Sequence, residues 1–166
     1  MGATGPAGRL NALGEDVARA ALARCCATRR WVDAMLARRP FATDAALFAA
    51  AEGVWWGLGR EDWLEAFAAH PRIGERSHDA WAQREQAGVR QAERTTAIAL
   101  AQGNRDYERR FGHVFLICAT GKGADDMLRA LARRLVNDPA TELRLAAGEQ
   151  AKITRLRLER LGEVAS

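Results

Sequence analysis

The sequence predicts an all-α protein, a single-domain helical bundle with one extended segment lining its site. Three observations carry this reading. Apolar residues recur at three- and four-residue spacing through nearly every stretch of the chain. Only one run, "VFLICAT" at residues 114–120, has the β-branched and aromatic density of a strand, and a lone strand has no partner to pair with. The 166 residues, 48% of them hydrophobic and 28% charged, suffice for one core and give no cause for division.

The elements follow in order. Residues 1–9 are Gly/Ala-rich and are expected to be a flexible N-terminus. Val17, Ala21 and Leu22, then Trp31 and Met35, place an opening helical region at 10–38, interrupted near Thr28 and broken by Pro40. Thr43 is a good N-cap for "DAALFAAAEGVWW", which Gly57 and Gly59 end. A short helix at 60–69 carries Trp63, Leu64 and Phe67. Further helices are expected at 81–89 and at 93–111, with Gly103 a weak point, and "GADDMLRALARRLV" makes the next. Asp138 before Pro139 is a cap followed by proline at the first helical position, which starts a long final helix running to about residue 164. Gly112 and Gly121 bound the extended run.

Charge and cysteine content narrow the setting. The formal net charge is +4 and nearly all the positive charge is arginine, Lys122 and Lys152 being the only lysines. The basic residues are scattered among acids, as in "RLRLER", so a solvated helix face is the plainer reading than a nucleic-acid footprint. Cys25 and Cys26 are adjacent, with Cα atoms about 3.8 Å apart, below the usual bridging range. With Cys118 they fit a reducing cytosol. No signal-peptide pattern, no run of eighteen apolar residues and no peroxisomal tail is present, so a cytoplasmic protein away from membranes is expected.

Chemistry-bearing residues concentrate in "AAHPRIGERSHDAWAQREQAG". Pro71 biases His70 toward extended backbone and swings the imidazole off the end of its helix. With a free pKa near 6.5 the ring suits proton transfer; alternatively it merely favours the helix dipole. Trp81, Glu85 and Val89 lie four apart, so Glu85 shares an apolar stripe and is either a rim residue or a buried, partnered carboxylate. Gly121-Lys122-Gly123 before a helix lacks the length and sheet context of a phosphate loop, although such backbone N–H groups suit carbonyl or carboxylate oxygen. His70, His78 and His113 show no metal-ligand spacing, and no acyl-transfer nucleophile motif occurs, so no metal is expected.

In order along the chain, "HPRIG", "WAQREQAGV", "YERRFGHVFLICATGKG" and "RLVNDPATELRLAAGEQAKITRLRLERL" resemble the 2-oxo-4-hydroxy-4-carboxy-5-ureidoimidazoline (OHCU) decarboxylases, from about residue 10 to 161. The resemblance implies an all-α, cofactor-free and metal-free enzyme, usually a homodimer, that makes (S)-allantoin from a late oxidation product of urate. It implies that His70 is the catalytic acid/base with Glu85 beside it, and that Pro71, Ala82 and Gln86 line the substrate. It further implies that the backbone of Phe115, Leu116, Ile117, Cys118 and Ala119 holds substrate and that Arg157 faces the pocket. The family often has serine where this chain has Ala82, which removes a hydroxyl one turn before Glu85. Two rivals remain: an Arg-rich helical nucleic-acid-binding module, and a catalytically inactive relative.

Overall fold

The structure is a computed structural model that describes residues 4–73 and 94–161. Among the described residues all regular structure is helical: α1 (Pro6–Ala12), α2 (Glu15–Cys25), α3 (Arg29–Ala37), α4 (Asp44–Trp56), α5 (Arg60–Ala68), α6 (Arg94–Phe111), α7 (Ala124–Leu135) and α8 (Pro139–Arg160). The expected helix at 81–89 lies outside the described residues. The chain divides into two compact units, one of residues up to Ala66 together with those from Ala151, the other of Phe67–Gln150.

In the first unit, α1 to α4 bury Leu10, Leu22, Trp31, Met35, Leu47 and Trp55. The buried stripe of α2 is Ala18, Ala21, Leu22 and Cys25, so Ala21 and Leu22 face the core as expected while Val17, 59% exposed, gives its place to Ala18. The expected break at Thr28 is present, since Thr28 is the N-cap of α3. A second break, at Leu13 and Gly14, was not expected. Its cause is long-range: Arg39 Nη1 donates to the Leu10 and Leu13 carbonyls, both at 2.8 Å, which satisfies the end of α1 without further helix. Asn11 likewise turns away to pair with both backbone groups of Phe41. Thr43 caps α4 as expected, its hydroxyl accepting the Ala46 N–H at 3.0 Å.

The second unit is built on α6 against α7, with Leu100, Tyr107, Phe111, Phe115, Ile117, Met127 and Leu131 in its core. Helix α6 passes through Gly103 unbroken. A Cβ on Gly103 would lie 2.4 Å from Leu131 Cδ2, so the glycine lets the two helices approach rather than weakening one. After α6, Gly112 takes φ 79° and Gly121 takes φ 76°, left-handed conformations that turn the chain into and out of the 114–119 segment. Among the described residues that segment is neither helix nor strand. Asp138 caps α8, accepting the Thr141 N–H at 3.2 Å and the Thr141 hydroxyl at 2.6 Å. The helix ends at Arg160, short of the expected residue 164, and residues 162–166 lie outside the described ones.

Two glycine substitutions separate propensity from packing. Gly53 is exposed in α4 with open space at its Cβ position, so Gly53→Ala should stabilise by about 0.5–1 kcal/mol. Gly103→Ala should instead lower the urea midpoint, because overpacking costs about 1–3 kcal/mol and outweighs the helix gain.

Candidate active site

Helix α5 ends at Ala68, and the His70 N–H donates to the Phe67 carbonyl at 3.1 Å to close a final turn before Pro71. His70 and Pro71 are half-buried. The imidazole Nε2 lies 2.6 Å from Oε1 of Gln150, whose side chain is completely buried in α8. Two residues one turn apart on α6 fix the rest of the corner. Asn104 Nδ2 donates to the Ile73 carbonyl at 2.9 Å, and Arg72 makes a forked pair with Glu108 at 2.7 and 3.1 Å.

The extended segment faces a physical problem. Phe115, Leu116, Ile117, Cys118 and Ala119 are all buried, yet an extended strand without a sheet leaves its peptide groups unpaired. Charged side chains solve it. Arg134 Nη1 donates to the Leu116 carbonyl at 2.6 Å, and Glu149 accepts the Cys118 N–H at 3.0 Å. The Ala119 carbonyl accepts the Lys122 N–H at 3.0 Å.

Arg134 is itself held by Glu142, with Nε at 2.8 Å and Nη2 at 2.5 Å from one carboxylate oxygen. The Tyr107 hydroxyl donates to that same oxygen, and Asn137 Nδ2 donates to the other at 3.2 Å. Glu142 is fully buried and Arg134 nearly so, and the guanidinium also stacks 4.7 Å over the Phe115 ring. Burial first, and then the hydrogen bond to Glu142, push the Tyr107 phenol above its ordinary value.

His70 and the 115–119 segment therefore meet the same turn of α8, through the neighbours Gln150 and Glu149. Glu85, Gln86 and Ala82 lie outside the described residues, as does His78. Arg157 belongs to the other unit, where its Nη1 donates to the Arg24 carbonyl at 3.1 Å. Near it, burial pushes the Cys25 and Cys26 thiols up to about 12, which keeps them protonated and unreactive at neutral pH. Among the described residues no three His, Cys, Asp or Glu side chains gather as a metal centre requires. No described helix is long and apolar enough to cross a membrane.

Sequence reasoning missed Gln150, Glu149, Glu142, Arg134 and Tyr107. A signal was available for two of them. Glu142, Ala146 and Gln150 are spaced by four and all completely buried, so two polar residues sit on the apolar stripe of α8.

Comparison with known proteins assigns the fold to a class. The family model described as OHCU decarboxylase matches residues 11–159, and the chain belongs to that family. It is 36% identical, over 82% of its length and 45% of the relative's, to the uric acid degradation bifunctional protein TTL of Arabidopsis thaliana. It is 31% identical, over 72% of its length and 73% of the relative's, to the OHCU decarboxylase of Haloferax volcanii. The chain thus spans under half the length of the Arabidopsis relative and of the mouse one, where the share is 46%. A crystal structure of OHCU decarboxylase in the presence of (S)-allantoin superposes with a TM-score of 0.79 at 32% identity, covering 92% of this chain and all of that one. The fold is also that of an (S)-allantoin synthase, at a TM-score of 0.69 and 18% identity.

Two measurements probe the buried network. Tyr107 is the only tyrosine, so the phenolate absorbance of the native protein reports it alone. A folded pKa raised above the unfolded value near 10 gives stability that is complete below about pH 10 and lost as pH rises. Phenolate should therefore appear only together with loss of the helical circular dichroism. Arg134→Leu strands the Glu142 carboxylate and should destabilise the protein by about 3–5 kcal/mol in urea unfolding.

Proposed function

We infer that this chain catalyses the cofactor-independent decarboxylation of OHCU to (S)-allantoin and CO2 in urate degradation, as a cytoplasmic homodimer with no nucleic-acid or membrane partner. The observation that carries the reading is the half-buried imidazole of His70 on the turn of α8 that also holds the 115–119 backbone, in a chain of this family. Loss of CO2 leaves an electron pair at the ring carbon, and the adjacent C=N bond of this substrate accepts it, so no external electron sink is required. The protein must turn the carboxylate out of the ring plane, stabilise the charge that develops, and protonate one face.

In this mechanism His70 handles the proton of the substrate hydroxyl or of the new C–H bond, with Glu85 beside it. Pro71 packs on the ring. Gln86 and the backbone of Phe115, Leu116, Ile117, Cys118 and Ala119 meet its amide-like edges, and Ala82, where the family often has serine, offers the substrate no hydroxyl. Within that backbone the Cys118 N–H is already engaged by Glu149, while the Leu116 carbonyl, which accepts from Arg134, keeps a second lone pair. Arg157 pairs with anionic or carbonyl oxygen, for which its planar fork is suited.

His70→Asn should lower kcat by about 10²- to 10⁴-fold, the usual share of a positioned acid/base, with unchanged far-UV circular dichroism. A variant of near-wild-type turnover in a coupled urate assay would remove His70 from the mechanism. Arg157→Ala should act mainly on KM; identical kinetics would exclude it from the site.

A further inference from the structure

We propose that Gln150 is the positioning residue of the catalytic imidazole, and that its being an amide rather than a carboxylate is part of its role; this rests on the decarboxylase reading above. Gln150 is completely buried in α8, eighty residues along the chain from His70, and its Oε1 lies 2.6 Å from His70 Nε2. A buried amide is costly unless its polar atoms are paired, so the contact holds both side chains in one arrangement.

The bond acts on two properties of the ring. It fixes the rotamer of a side chain that lies just beyond the end of α5, on the last turn closed by its own N–H to the Phe67 carbonyl. It also commits Nε2 to one partner, which selects the tautomer, as carboxylates and carbonyls do for histidines elsewhere. A neutral amide does this without placing a second negative charge beside a substrate that is itself a carboxylate. A carboxylate at the same position would repel that substrate and stabilise the imidazolium.

The adjacent Glu149 engages the Cys118 N–H at 3.0 Å. Consecutive helical residues point about 100° apart, so one turn of α8 registers the imidazole and the extended backbone against each other. Both contacts depend on the same rigid rod, anchored in this unit by the Glu142–Arg134 pair two turns earlier.

The test uses Gln150→Met, which keeps length and bulk but removes the amide, and Gln150→Glu, which keeps an acceptor. Gln150→Met should lower kcat by about tenfold or more with KM within about twofold, since orientation is part of what a positioned acid/base supplies. Gln150→Glu should recover much of that kcat while raising KM for the anionic substrate. The ¹⁵N resonances of the His70 ring, assigned by their loss in His70→Asn, should show one tautomer in the wild type and tautomer averaging in Gln150→Met. A folded Gln150→Met protein with wild-type kcat, or with an unaltered His70 spectrum, overturns the proposal. If the wild type itself lacks activity, the decarboxylase reading falls, and the ring spectra alone decide whether Gln150 holds the imidazole.

Discussion

The buried pair of Arg134 and Glu142 is the constraint on which the second unit depends. An extended run through an apolar interior exposes peptide groups that no sheet ladder satisfies, and each unpaired group costs about 1–3 kcal/mol. Arg134 reaches the Leu116 carbonyl with one nitrogen while the others bind a fully buried carboxylate. Such a pair offers little net stability over an apolar substitute, because desolvation offsets much of its attraction. Its value here is geometric: a guanidinium fixed by Glu142, stacked over Phe115 and within reach of Tyr107 admits one position for the 115–119 backbone.

Helix α8 carries that fixed point to the candidate site. Glu142 anchors its beginning, Glu149 takes the Cys118 N–H, and Gln150 meets His70. From α6, Asn104 and Glu108 secure the Ile73 carbonyl and Arg72 on the far side of the proline corner. The imidazole is thus bracketed along the chain, by α5 before it and by the clamped Arg72 and Ile73 after it. Acid/base chemistry needs such bracketing, because a proton is transferred efficiently only by a group held within hydrogen-bond reach of it.

The helices themselves were legible because periodicity and caps are local: Thr43, Asp138 with Pro139, and the glycines at 112 and 121 all mark real boundaries. The lone strand-like run lies between helices and, among the described residues, belongs to no sheet. The failures were non-local. Nothing near Leu13 announces that Arg39 will take its carbonyl, and nothing near Gly103 announces Leu131. The turn of the chain at His70 was legible from the proline beside it, while a role for the 115–119 segment rests on the family resemblance. Gln150 escaped because a glutamine on a helix is ordinarily solvated; only its spacing from Glu142 and Ala146 betrayed it.

A structure of the protein crystallised with (S)-allantoin probes the site most directly. The ligand should lie within hydrogen-bond distance, about 3 Å, of both the His70 ring and backbone groups of residues 115–119. Allantoin bound elsewhere, with the space beside His70 and that segment empty or filled by side chains, would contradict the assignment.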